Sequence, residues 1–465
     1  MYSDLPVHSM GGSAQRRPRV AIIGSGISGL SAAHTLYGLT HLTVFEAGDY
    51  FGGHTHTVDV TLPDDTGRPT TFGVDTGFLV FNERTYPELI ALLDVLDVPT
   101  AASDMSFSVQ TPGAGVGGGP LEWSGSNLST VFAQRRNLGN RRFWRMLADI
   151  VRFNRITTQL ALQKADLGDH SPLMQPLADF LREHRFSAEF RDWYFLPMLG
   201  CIWSCPTDQM LRFPVATMIR FCHNHGLIQI TNRPQWHTVA GGARQYVRKI
   251  IRGIADARLN TPVRQVLREA GGVRVVTDER SEHFDAVVMA CHSDQALALL
   301  GESASVQERE VLGAIRYQPN RAVLHTDTSV LPQSRRAWAA WNYERSPDIG
   351  QESARVCLHY LINRLQPLPT EVQVVVSLNP HRAIDPSTII GEYEYAHPVF
   401  DMAAIRAQTR VPQLQGQQHT FFAGAWMGYG FHEDGLKAGL QAARALIDQW
   451  GLTTTRTRVR AGVAG

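Results

Sequence analysis

Arg19 to Ile23 is a short, mainly apolar run that leads into Gly24-Ser25-Gly26-Ile27-Ser28-Gly29 and then a helical stretch, Leu30 to Leu36. Leu42 to Phe45 repeats the apolar run. Short runs of this kind, bounded by turn residues, predict buried strands. Farther on, Val263 to Leu267 and Val273 to Thr277 flank Gly271-Gly272 and predict a hairpin, and Phe284 to Ala290 predicts a buried strand with Ser293 capping the next helix. Leu173 to Phe221 is dominated by helical spacings, with a helix at Ala216 to Cys222. Ala322 to His325, Arg355 to Leu361 and Val372 to Leu378 read as strands. At the end, Thr420 to Ala423 predicts a strand, followed after a glycine-rich turn by an Ala-rich helix to Trp450. Pro112 to Pro120 is glycine-rich with no helix after it, which predicts a flexible turn rather than a second phosphate cradle.

The first of these units has a specific chemistry. In a strand–GxGxxG–helix unit, Gly24 permits the tight turn, Gly26 lets a pyrophosphate approach the backbone, and Gly29 lets helix pack on strand. The helix N-terminus offers free N–H groups to phosphate. Glu46 ends the second strand roughly twenty residues past the glycines, where a carboxylate accepts from both ribose hydroxyls of adenosine and repels a 2′-phosphate. A dinucleotide is expected, and NADP is disfavoured. Gly52-Gly53-His54 lets the chain pass close to a ribityl and phosphate portion. A helix starting near Gly424 to Gly435 would aim its positive end at a flavin edge that becomes negative on reduction.

Composition narrows the class. The 465 residues are 43% hydrophobic, enough for two to three domains with sizeable cores. Forty-four basic against 43 acidic residues give a net charge of +1, so no nucleic-acid partner is expected. No apolar run reaches the roughly 18 residues of a membrane span, and Met1 to Pro18 lacks the apolar core of a secretory signal. The five cysteines are scattered, which fits a reducing compartment, so a cytoplasmic chain is expected.

On these segments the sequence resembles the flavin amine oxidase superfamily, which includes monoamine oxidases, phytoene desaturases and protoporphyrinogen oxidase. It is more closely similar to bacterial stand-alone flavoproteins and to the flavin domain ahead of the methyltransferase in plant cyclopropane fatty acid synthases. That closer likeness rests on Gly52-Gly53-His54-Thr55, Val74-Asp75-Thr76-Gly77-Phe78, Asn224-His225-Gly226-Leu227, Gln235-Trp236, Gly241-Gly242 and Gly428-Tyr429-Gly430-Phe431-His432-Glu433-Asp434-Gly435. The resemblance implies bound FAD near Gly24, Ser25, Gly26, Gly29, Glu46, Gly53, Val263 and Gly424, with Val263 touching adenine through its backbone. It also implies an α/β architecture. A Rossmann-type FAD domain (19–100, 235–300, 413–450) interleaves with an α+β substrate domain (101–234, 301–412), and 1–18 and 453–465 form flexible tails. The chain departs from the family pattern at His54, where many relatives have Arg, and at Ala425, where an acid is usual. None of its three lysines, Lys164, Lys249 and Lys437, matches the lysine that many amine oxidases hold near flavin N5.

His432, Tyr429 and Trp426 lie next to the expected flavin and are the candidate catalytic residues, against alternative roles in capping and packing. His54 and Glu433 join the cofactor-site candidates. Acids at a helix start, such as Glu433 and Asp434, are also favoured by the dipole alone. His54 and His56 alternate as if on an extended segment, and no third ligand has metal-motif spacing, so no metal is expected. His223 and His225 fit a helix C-terminus, and Cys201 and Cys205 read as buried small residues. Trp236, Tyr395 and His397 are candidates to line an apolar tunnel or simply the core.

Gln134 to Arg155 predicts a basic amphipathic helix with Phe143, Met146, Leu147 and Ile150 on one face and Arg141, Arg145, Arg152 and Arg155 opposite. It is either a domain helix with a solvated Arg face or a peripheral contact with an anionic membrane. Three functions remain open. The first is an FAD oxidoreductase acting on a lipid acyl chain, such as a methylated or cyclopropane one. The second is the same machinery acting on an amine or carotenoid, and the third is a non-catalytic lipid-binding escort of the Rab GDP-dissociation inhibitor kind.

Overall fold

The computed structural model describes residues 16–162, 175–227, 234–346 and 355–452. The expected tails therefore lie largely outside the described residues, as does Lys164. A five-stranded parallel sheet runs in the order Asp256–Arg258, His41–Phe45, Arg19–Ile23, Ala286–Met289, Thr420–Phe422. Its strands are apolar on both faces because both are covered. Val20, Ile22, Val44 and Val288 face the helices Ile27–Leu36 and His432–Trp450, whereas Ala21, Ile23, Phe45, Val287 and Met289 belong to a second cluster with Val266, Val273 and Trp426. The latter side carries the antiparallel sheet Val263–Glu269, Gly272–Thr277, Ser281–Phe284.

A seven-stranded mixed sheet is ordered Ile389–Val399, Arg316–His325, Val375–Leu378, Cys357–Leu361, Trp341–Glu344, Phe107–Thr111, Leu121–Ser124. Around it pack the helices Arg141–Leu162, Leu196–Trp203 and Val215–Asn224. Two smaller sheets connect the halves: the hairpin Thr57–Pro63/Pro69–Asp75, and Phe81–Asn82 with Trp236–Val239 and Thr100–Ser103.

Several expectations shift in detail. Ser293 is the first residue of its helix rather than the cap; His292 precedes it, and the Ser293 N–H donates to the Tyr317 hydroxyl at 3.2 Å. The expected helix from Gln134 begins only at Arg141, because Arg135–Gly139 forms a tighter 3₁₀ turn. Phe143, Met146 and Phe153 on its inner face are wholly buried, so its apolar stripe is spent on the core.

Candidate functional site

The carboxyl ends of the parallel strands bring Gly24, Glu46, the Ala290–His292 turn and Gly424 to one rim, the place where open α/β sheets bind ligands. Gly24 has φ +100°, and a Cβ there would sit 2.6 Å from the Ala290 carbonyl oxygen. A Cβ at Gly29 would overlap the Gly24 carbonyl, whereas one at Gly26 would meet nothing. The three glycines thus serve a turn, an open cradle and a helix–strand contact. The helix Ile27–Leu36 has no side chain capping its first turn, which leaves its N–H groups free for an anion.

The last helix, His432–Trp450, lies parallel to it at very close range. A Cβ at Gly435 would stand 2.8 Å from Ile27 Cγ2, and one at Gly439 would overlap the Ser28 carbonyl, so only glycines allow the approach. The Ser31 hydroxyl donates to the Leu436 carbonyl across this contact at 3.0 Å. Two positive helix ends therefore face the same rim.

Glu46 accepts from the Ser25 N–H (3.0 Å), the Ser25 hydroxyl (2.5 Å) and the Gly48 N–H (2.9 Å). Its backbone carbonyl receives the Thr261 N–H at 2.9 Å, which draws the chain leading to Val263 alongside. The Gly52 N–H donates to Ser25 Oγ at 3.1 Å, and a Cβ at Gly53 would lie 3.2 Å from Gly26 Cα, so the paired glycines rest on the cradle.

Beyond the cradle, imidazoles gather. His54 lies 5.1 Å from Tyr395 and 5.3 Å from His397, ring to ring. Its Nε2 is sealed from solvent and has no partner among the described residues. Burial, then the neighbours His397, His292 and His432, hold its pKa well below the ordinary value. His397, bonded to Asn320 Nδ2 at 2.9 Å, is pushed down to about 4 by burial and then His292. His432 is stacked on Phe78 at 3.8 Å, bonds Tyr246 Oη at 2.8 Å and is lowered to about 3 by burial. Tyr246 continues to Thr55 Oγ1 at 2.5 Å. His56, Thr76 and the Tyr395 hydroxyl form a second knot.

Asp75 holds this framework in place, a role its motif did not disclose. It is buried and accepts from Thr57 Oγ1, the Ala243 N–H (3.0 Å) and Gln366 Nε2 (2.9 Å). It thereby fixes the start of the helix Arg244–Arg252 that delivers Tyr246 to His432. Burial pushes its pKa up to about 7 against these bonds.

Two expected roles move. The carboxylate of Glu433 receives the N–H groups of Glu88 and Leu89, both at 3.0 Å, and pairs with Lys437 at 3.1 Å. It clamps the N-terminus of the helix Pro87–Val95 and is not free for a cofactor. Trp426 is 2% exposed, packs in the cluster behind the parallel sheet and donates to the Cys291 carbonyl at 3.3 Å, so it is a wall rather than a reacting group. Its indole also occupies the space of a Cβ at Gly424. Asp434 caps its own helix, accepting from the N–H groups of Tyr429 (3.1 Å) and Phe431 (3.0 Å).

Tyr429 and Phe431 border a cavity of about 1160 Å³ whose walls also include Arg84, Tyr86, Val151 and Arg155. His223 and His225 also border it, at the end of the helix Val215–Asn224. Cys201 and Cys205 are buried, and burial raises both thiols. Lys249 donates to the carbonyls of Leu96 and Asp97, both at 2.6 Å. Neither it nor Lys437 is free to serve as the lysine of amine oxidases.

The residues present fit FAD. The cradle is open at Gly26, the uncapped start of the helix Ile27–Leu36 faces it, and His54 Nε2 is a buried polar atom without a partner. Comparison with known proteins agrees. Among solved structures, the chain matches a CLA-producing fatty acid isomerase from P. acnes (17% identity, TM-score 0.63, covering 94% of this chain and 100% of that one). It also matches cyclohexylamine oxidase from Brevibacterium oxydans IH-35A (19%, 0.64, 94% and 100%). A third match is putrescine oxidase in complex with putrescine (17%, 0.66, 93% and 99%). No curated protein has a matching sequence. The model of the family "Flavin containing amine oxidoreductase" matches residues 27–335. The chain therefore belongs to the flavin containing amine oxidoreductases and is an FAD-dependent oxidoreductase with the two-domain amine oxidase-like fold.

Proposed function

We propose that this enzyme dehydrogenates or oxidises the acyl chain of a lipid, with the cavity bordered by Tyr429 and Phe431 as the substrate site. The observation that carries this reading is the charge around the cavity. Arg84 and Arg155 border it, Lys437 is paired with Glu433, and the carboxylates of Glu433 and Asp434 are already held by backbone N–H groups. An amine substrate would find no free acid there, whereas an anionic amphiphile finds the Arg155 guanidinium and the rings of Tyr86, Tyr429 and Phe431. The volume, about 1160 Å³, exceeds the roughly 300–1,000 Å³ of common small-molecule sites and suits a long chain. The shared fold of a fatty acid isomerase is compatible with this choice.

Bound FAD supplies the hydride acceptor. The chain's own residues bind and shield. Apolar burial at about 25 cal/mol per Å² holds the hydrocarbon. Beside the cofactor cradle, neutral His432, its ring fixed between Phe78 and Tyr246, and neutral His54 and His397 keep the surroundings polar without fixed charge. Dehydrogenation releases a proton as well as a hydride, and once the hydride has left, the adjacent C–H is acidic enough for a weak base such as a neutral imidazole or water to take that proton.

The test is anaerobic mixing of the holoenzyme with purified phospholipids and free fatty acids, then with an amine panel, while the flavin absorbance is followed. Bleaching by lipid, with new unsaturation or oxygen in the recovered chain, is the expected result. Reduction by amines alone overturns it.

A further inference from the structure

The helix Arg141–Leu162 turns a second face outward. Residues 141, 144, 145, 148, 151, 155 and 159 share one side at helical spacing and are all exposed: three arginines, Trp144, Ala148, Val151 and Gln159. No carboxylate lies on this stripe. Asp149 is buried and paired with Arg152 at 2.9 Å, and Glu189 is paired with Arg142 at 2.7 Å. Arg141, Arg145 and Arg155 form no salt bridge among the described residues.

Around the start of the helix the apolar surface widens. Trp144 is 49% exposed; its indole N–H holds the Leu138 carbonyl at 2.9 Å, and its ring leans on Phe132 at 5.3 Å. Leu138 is 51% exposed, and Leu128, one turn before Phe132, is 78% exposed. Arg135 and Arg136 flank Leu138, and both are exposed. Apolar side chains interspersed with arginines and free of acids match the acyl boundary and headgroups of an anionic bilayer. The other end of the same stripe, Val151 to Gln159, forms part of the cavity wall.

We propose that Leu128, Leu138 and Trp144, ringed by Arg135, Arg136, Arg141 and Arg145, form a docking face for an anionic lipid bilayer. The sequence pattern pointed to a different bilayer contact, Phe143, Met146, Leu147 and Ile150, of which Phe143 and Met146 are wholly buried. Docking would set the cavity mouth at the interface, so a lipid could pass from membrane to cavity along the Val151–Arg155 wall. That second step rests on the acyl-chain reading; the docking itself does not.

The test is co-sedimentation of the holoenzyme with sucrose-loaded vesicles of phosphatidylglycerol and phosphatidylcholine, against phosphatidylcholine alone. The wild type should bind the anionic vesicles at least tenfold more tightly, with affinity falling as salt rises. The pair Arg141→Glu/Arg145→Glu should lose at least tenfold, and Arg264→Glu, a charge reversal elsewhere, should lose nothing. Brominated acyl chains should quench a fluorescence component that Trp144→Phe removes, which reads the same face without reversing charge. Equal binding to neutral vesicles, or full binding by the double variant, overturns the proposal. If the holoenzyme rejects every lipid as substrate yet docks through these residues, docking stands and the acyl-chain reading falls.

Discussion

Two groups of buried histidines, one at the cofactor cradle and one within the seven-stranded sheet, are finished to different degrees. In the seven-stranded sheet, His325 Nδ1 accepts the Asp327 N–H at 3.1 Å and Nε2 meets Ser377 Oγ at 2.7 Å. Ser377 Oγ meets His359 Nδ1 at 2.7 Å, and His359 Nε2 meets Glu344 Oε2 at 2.9 Å. Glu344 Oε1 takes Arg382 Nε at 2.8 Å. Burial alone would raise Glu344, but His359 and Arg382 hold it below the usual range. Cys357 stands 3.5 Å from His359 Nε2, so Glu344, Cys357 and His359 also meet the spacing of metal ligands. Yet every polar atom of this chain of bonds has a protein partner. At the rim of the parallel sheet, His54 Nε2 is equally sealed and has none. A buried polar group without a partner costs stability, and His54 Nε2 differs from other such atoms, His34 Nε2 and His419 Nδ1 among them, in standing at the cofactor cradle, where a ligand can complete it. The closed network is architecture, and the open one is a site.

The comparison breaks most readily in the closed network. His359→Leu leaves Ser377 and Glu344 short of a partner and should cost about 2–4 kcal/mol in urea unfolding, while FAD stoichiometry in the folded fraction stays that of the wild type. A loss of FAD with unchanged stability would reverse the assignment. Next comes Gly26→Val. No atom of the protein lies within 4 Å of an added Cβ, and φ at Gly26 is −62°, so apoprotein stability should change by no more than about 1 kcal/mol. FAD affinity should fall about a hundredfold, roughly 2.7 kcal/mol, by equilibrium titration. Substitution of His54 by Phe removes an unpartnered atom. The apoprotein should be unchanged or up to about 1 kcal/mol more stable, with FAD bound about tenfold more weakly.

The smallest expected effect is on pH. His397 and His325 are lowered to about 4 and His432 to about 3, mainly by burial, whereas the unfolded chain binds a proton at each below about pH 6.5. In that window these rings bind fewer protons in the folded state and together outweigh the buried carboxyls of Asp75 (about 7) and Asp434 (about 6), which bind more, so apoprotein stability should fall as pH drops from about 6.5 toward 4. Thermal unfolding across that range checks the sign. Replacing His397 by Asn should flatten the slope, and a slope left unchanged by that replacement would show the His397 ring to contribute nothing to it.

Much of the cradle was legible because it is local: Gly24 to Gly29, the flanking strands and Glu46 lie within one short span. What escaped depends on contacts distant in sequence. The strand Asp256–Arg258 is too short and polar to announce itself, and joins the parallel sheet beside His41–Phe45 while Arg258 pairs with Asp256 and Glu282. Glu344 faces Cys357 only through antiparallel register, so no spacing along the chain foretold that cluster. Glu433 looked like a dipole-favoured acid beside a flavin, but its bonds reach Glu88 and Leu89, far earlier in the chain. Helical periodicity separated the buried side of Arg141–Leu162 correctly and set Trp144 toward the side, yet it did not show that Val151 would remain outside among the arginines.

The most direct measurement is histidine side-chain NMR on ¹⁵N-labelled apoprotein titrated with FAD, with resonances assigned by their loss in His54→Asn and His359→Asn variants. The account predicts that the His54 signal shifts as FAD fills the cradle, while those of His325 and His359 stay in place. Movement of the sheet histidines with an unmoved His54 would contradict it.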